Sequence, residues 1–262
     1  MIKEIIDKLV ALLAVSALLA SCSESELWQN PQTEARDGYI MLNFKTEIPA
    51  MQEVVTRAVD PDGGGVQDMT LFCFDSYGLF ISTVKAGVTV QKPGPGEMEG
   101  TFKAEVPENT RTIHFLANQN MDEFKEDSFR NKSESEVMAV LEGSSGRMIY
   151  WGRFACDAGN DSNIAEQMAT SGNSVKLIRN HARISVDNPE NNGHIVITGF
   201  AVCNTNAFGT VAPHHPKKGF DFTWPSSDDP FVTLPMNDAK MSDVTDVTSS
   251  MSQYVFECEN ST

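Results

Sequence analysis

Positive charge is scarce in this chain of 262 residues: 20 Lys and Arg stand against 36 Asp and Glu, a formal net charge of −16. Such a body repels nucleic acid, whose binding rests on Lys and Arg neutralising phosphates. Cysteine is scarce too. The five are Cys22, Cys73, Cys156, Cys203 and Cys258, an odd number with no CxxC pair, so a zinc site is not expected. Setting Cys22 aside leaves four, enough for two disulfides. Cys73 and Cys203 nevertheless sit inside apolar strand-like runs, so buried free thiols are the expected state. No nucleophile motif, phosphate loop or dinucleotide fingerprint is present, which leaves an enzyme, a cofactor or a catalytic residue without support. The nearest approach to a metal site is His214-His215, but neighbours on an extended chain point to opposite faces. Asp60-Pro61-Asp62-Gly63 lacks the later ligands and closing Glu of a calcium loop. Trp151 and Trp224 are candidates for a carbohydrate-stacking surface. Neither has a second aromatic beside it at strand spacing, so packing is the expected role.

Only one long apolar run exists, Leu9 to Leu19, and it is too short to cross a bilayer as a permanent helix. It has the length of a signal-peptide core and leads into Ala20-Ser21-Cys22, the pattern of a bacterial lipobox. Cleavage between Ser21 and Cys22 with acylation of Cys22 would anchor everything that follows, since each buried methylene contributes about 0.8 kcal/mol. Glu4 and Asp7 depart from the pattern by diluting the positive charge of Lys3 and Lys8. An ordinary secretory signal with an incidental cysteine is the alternative. Residues 1–21 are thus expected to be a signal peptide and 22–37 an acylated, flexible tether, polar and without periodicity.

Tyr39 to Ile48 alternates cleanly, with Ile40, Leu42, Phe44, Thr46 and Ile48 on one face, which predicts a half-buried strand. A Gly-, Asp- and Pro-rich stretch ending at Gly65 follows and predicts a long exposed loop containing Thr56-Arg57-Ala58. Met69 to Phe74 is apolar on both faces, and Asp75-Ser76-Tyr77-Gly78 turns it into a hairpin with Leu79 to Val84. Lys92 to Gly96 predicts a loop. Thr101 to Val106, Arg111 to Asn118 and Met148 to Phe154 predict further strands. Ser133 and Glu136 form a capping-box pattern before Val137, Met138, Val140 and Leu141, and predict a short helix stopped at Gly143. Asp157 to Asn173 reads as a polar loop and a domain boundary. Ser174 to Val186, His194 to Asn204 and Tyr254 to Cys258 supply later strands, and Val211 to Pro230 a connection. The fold class is mostly β, with strands at sandwich-like intervals.

The ordered set of features resembles the fimbrillins of the Bacteroidales-type (type V) pilus, including their anchor and tip relatives. The residues that carry it are the lipobox, Tyr39 to Ile48, Thr56-Arg57-Ala58, Met69 to Asp75 with Gly78, Leu177 to Val186 and Tyr254 to Asn260. The resemblance implies two transthyretin-like β-sandwich domains, here 38–160 and 174–262, with export as a lipoprotein to the outer membrane and cell surface. It also implies that an arginine-specific protease cuts between Arg57 and Ala58. The strand carrying Tyr39, Ile40, Leu42, Phe44 and Ile48 would then leave, and the open groove would accept a donor strand from another fimbrial subunit. In the family the Tyr254 to Asn260 motif lies part-way through the second domain, so that domain is expected to be truncated. The chain is then either a fragment or a minor member that does not donate. The alternative function is a surface lipoprotein that does not polymerise, a pilus anchor or an adhesin for a glycan or host protein.

Overall fold

The computed structural model describes residues 35–47, 66–93, 98–122, 124–144, 148–185, 199–202, 205–206, 208–214, 219–220, 222, 239–240, 245–246 and 252–256. The chain is mostly β. Its main body is a sandwich of two open sheets built from β1 (Tyr39–Glu47), β2 (Met69–Phe74), β3 (Phe80–Lys85), β4 (Gly87–Pro93), β5 (Met98–Pro107), β6 (Thr112–Ala117), β8 (Tyr150–Ala155), β9 (Ser174–Lys176) and β10 (Ile178–Arg179). One sheet runs in the order β4-β5-β1-β9 and the other β10-β8-β6-β2-β3. Two short helices, α1 (Glu134–Met138) and α2 (Ile164–Thr170), lie between strands.

The alternation in β1 does what a period of two requires: Ile40, Leu42, Phe44 and Thr46 are buried while Tyr39, Lys45 and Glu47 are exposed. That row meets Phe102, Ala104 and Val106 of β5. Opposite them stand Met69, Leu71 and Cys73 of β2 with Ile113, Phe115 and Ala117 of β6, and together they form the core between the sheets. All six residues of β2 and all six of β6 are buried. The second face of their sheet is therefore covered as well. There Phe72, Phe74, Leu116 and Trp151 pack under Val137 and Met138 of α1 and under Val211 and Ala212 from far along the chain.

The capping box predicted at Ser133 forms, with Glu136 and Ser133 satisfying each other's backbone N–H groups. The helix is shorter than the pattern predicted, ending at Met138, because the chain turns at once into β7 (Glu142–Ser144). Three expectations are corrected. Residues 157–173 are not all loop: α2 stands there, opened by its own capping box of Asn163 and Glu166, and it buries Ile164, Ala165 and Met168 in the sandwich core. Ser174 to Val186 is not one strand but three. β9 joins the first sheet, β10 joins the second, and only β11 (His181–Ser185) pairs beyond them. The crossing from β9 to β10 passes so near Gly152 that a Cβ there would lie 2.6 Å from the Lys176 carbonyl oxygen. Finally, β4 reaches Pro93, into the expected 92–96 loop. It pairs with β5 through an irregular register at Val88 and Val90.

The later strands are short pairs: β12 (Gly199–Phe200) with β16 (Thr245–Asp246), β13 (Thr205–Asn206) with β15 (Ala239–Lys240), β14 (Phe208–Thr210) with β7, and β11 with β17 (Ser252–Phe256). Phe256 is buried, its ring centroid 4.0 Å from that of His181. It lies over Gly209, which pairs with Gly143, so a side chain at Gly209 would overlap the ring.

Candidate functional site

β1 is the first of the described strands, yet both strands that hold it come much later. It pairs antiparallel with β5 from Tyr39↔Pro107 to Thr46↔Gly100, and parallel with β9 from Lys45↔Ser174 to Glu47↔Lys176. It therefore occupies a slot bounded by β5 along its length and by β9 only at its far end, Lys45–Glu47. The floor of that slot is the sandwich core: the Phe44 ring stacks on Phe102 at 5.5 Å and meets Phe115 edge-on at 5.0 Å. Burial of Ile40, Leu42 and Phe44 contributes roughly 5–9 kcal/mol, at about 1.5–3 kcal/mol for each large apolar side chain. Without β1 the slot would present the unpaired amides of β5 and a row of apolar positions, which is what an added strand satisfies.

Each end of β1 is tied. At the amino end the Arg36 N–H donates to Glu105 Oε1 while its Nε donates to Glu105 Oε2 at 2.7 Å, and the guanidinium lies 4.5 Å from the centre of the Tyr39 ring. The two Arg36 contacts, the backbone one first, hold the Glu105 carboxyl below the usual carboxylate range. At the far end Lys45 N–H donates to the Asn173 carbonyl, Leu177 N–H to the Glu47 carbonyl, and the Ser174 hydroxyl to the Glu47 carboxylate at 2.6 Å. Cys73 lies in the same core, its thiol pushed up to about 12 by burial. It is chemically silent while the slot is filled.

The opposite face of the second sheet carries the most strongly coupled polar group among the described residues. Trp151 Nε1 donates to His114 Nδ1 at 3.0 Å, so the remaining proton sits on His114 Nε2 and is donated to Glu134 Oε2 at 2.6 Å. Arg153 grips the same carboxylate through Nε at 2.7 Å and Nη2 at 3.1 Å. His114 is fully buried, and desolvation keeps it neutral by lowering its pKa against the pull of Glu134. For Glu134 desolvation acts upward, but the bonds from His114 and Arg153 outweigh it and bring the carboxyl to about 2. Phe222 covers the group, edge-on to His114 at 4.7 Å. The arrangement ties α1 to the sheet.

No family model matches the chain, and no curated protein matches it. Among solved structures, a Parabacteroides distasonis protein assigned to cell adhesion superposes with a TM-score of 0.52 at 13% identity. The match covers 84% of this chain and 71% of that one. The shared fold is mostly β, as the sequence predicted. A C-terminally truncated tip fimbrial protein of Porphyromonas gingivalis is also similar, with a TM-score of 0.48 at 14% identity over 85% of this chain and 70% of that one.

Within this fold the residues singled out from sequence fall as follows. Tyr39, Ile40, Leu42 and Phe44 stand on β1, with Tyr39 outward and the other three in the core. Ser21, Cys22, Ile48, Arg57, Ala58, the Asp60 to Gly65 stretch, Cys203, His215, Trp224 and Cys258 lie outside the described residues. Trp151 is buried, bonded to His114, and presents no stacking surface. Cys73 and Cys156 are free thiols. His214 packs edge-on against Phe220, and no cluster of His, Cys, Asp or Glu suited to a metal occurs among the described residues. The ties at Glu105 and Glu134 escaped the sequence reading, because each joins residues far apart in the chain and neither has a local motif.

Proposed function

We propose that this chain is a structural or adhesive component of a cell-surface fimbria, exported as a lipoprotein acylated on Cys22. We further propose that it assembles by donor-strand exchange after an arginine-specific protease cuts between Arg57 and Ala58. The observation that carries the reading is the placement of β1, a core-filling strand paired with β5 along its length and with β9 at its far end. β1 and β2 lie in different sheets. A cut between them therefore severs no hairpin, and when β1 leaves, β5 keeps β4 while β9 loses its ladder partner. The cell-adhesion assignment of the Parabacteroides protein with the same fold supports a surface role. Its partners are then other fimbrial subunits, the outer membrane through the lipid on Cys22, the protease, and a host or glycan ligand, with nucleic acid disfavoured by charge.

The test is assembly of Arg57→Ala in a fimbriated cell. The expected result is normal export and monomer folding with no incorporation into heat-resistant polymer ladders. Normal incorporation would instead identify an uncleaved anchor or a protein that does not polymerise. Cys22→Ser should in parallel abolish palmitate labelling, and continued labelling would sink the lipoprotein reading.

A further inference from the structure

We propose that Glu105 protects the Arg36–Asp37 peptide bond from arginine-specific proteolysis by holding Arg36 in a closed turn at the entrance to β1. Arg36 is exposed, and it stands where a tether would meet the folded body. Exposure alone would make it the natural cut site for a trypsin-like enzyme. Such an enzyme needs more than access: it takes the arginine side chain into a pocket and aligns an extended main chain on both sides of the bond. Neither is on offer here. Both carboxylate oxygens of Glu105 are engaged with Arg36, one on its backbone N–H and one on Nε. The Arg36 carbonyl accepts from Tyr39 N–H at 3.0 Å, closing the turn, and the guanidinium rests on the Tyr39 ring. Glu108 N–H also donates to the Gly38 carbonyl at 3.1 Å, and Gly38 has a φ of 78°, a left-handed conformation that suits glycine and directs the chain into the strand. Although the Arg36 side chain is 69% exposed, its Nε, N–H and C=O are all bonded to the folded body, so cutting there requires the turn and the first rung of β1 to open together.

The consequence rests on the lipid-anchor reading given above. A cut after Arg36 would shed the body from its lipid with β1 still in the slot, whereas protection keeps the tether and leaves β1 to be released from its other end. The protection itself does not depend on acylation. It is read on the isolated folded chain, while palmitate labelling of Cys22 reads the anchor separately.

The experiment digests the full-length chain with trypsin under native conditions and follows cleavage after Arg36 by mass spectrometry. Arg130, also exposed and paired to Asp127 at 3.0 Å, serves as the internal reference. Glu105→Ala should accelerate cutting after Arg36 roughly tenfold, the scale expected when a local opening is freed. The rate after Arg130 and the melting temperature should stay unchanged. Glu105→Gln keeps an acceptor for the Arg36 N–H but loses the charge, and should fall between. No acceleration in Glu105→Ala would overturn the proposal. So would equal acceleration at Arg36 and Arg130, which would mark a general loosening.

Discussion

The least comfortable residue in β1 is Thr46, fully buried with its hydroxyl bonded to nothing among the described residues. An orphaned buried hydroxyl costs about 1–3 kcal/mol, and Val has the same shape without it. Thr46→Val should therefore raise the midpoint of a denaturant melt by about 1 kcal/mol of stability, and a fall instead would show that the hydroxyl has a partner in solution. Glu134 makes the opposite case, because two side chains, His114 and Arg153, bond it directly. Its carboxyl titrates at about 2 rather than 4.5, so its contribution is complete above the ordinary carboxylate range and is lost only as the pH falls toward 2. Glu134→Gln leaves Arg153 without its counter-charge beside the neutral His114. The expected cost is about 2–4 kcal/mol at pH 7, shrinking in acid as the native carboxyl itself protonates. Equal costs at pH 7 and pH 2.5 would show that the charge does not matter.

At the scale of the element, β1 can be followed through Cys73. That thiol shares the core with Ile40, Leu42 and Phe44 and is held protonated by burial. Maleimide labelling should be slow in the intact chain and at least ~tenfold faster once β1 has been removed, because accessibility and thiolate fraction rise together. Re-addition of a peptide spanning residues 38–48 should restore protection, and unchanged labelling on removal would mean that β1 does not seal this core. The strand was legible because period-two alternation needs nothing beyond its own residues. The capping box at Ser133 was legible for the same reason, being closed within four residues. α2 was missed although Asn163 and Glu166 form the same box, since the polar residues around it masked a short apolar face of Ile164, Ala165 and Met168. β4 was missed because Pro and Gly at its far end outweighed the run before them.

At the scale of the whole molecule, what could not be read was how far the end of the chain returns to its beginning. Phe220, Phe222, Val211 and Ala212 cover the outer face of the second sheet, and Phe256 lies on the Gly143–Gly209 pair. Glycine there looked like a helix stop in sequence; in the fold it is room for a ring. Gly209→Ala should push Phe256 out and cost about 1–3 kcal/mol in a chemical melt, with early proteolysis near residues 252–256. A neutral result would place the ring elsewhere in solution.

The slot that holds β1 also sets an order of events at birth. The strand is made first, but β5 and especially β9 are made long after it, and loop closure over such separations is slow. While the chain is being made, β1 is an orphan: an alternating apolar segment with no partner of its own, waiting for a gap that the rest of the sandwich must first enclose. A strand that enters last from solution is one for which the finished fold has an entry path. On the donor-strand reading proposed above, the same path would admit a rival strand presented by another molecule.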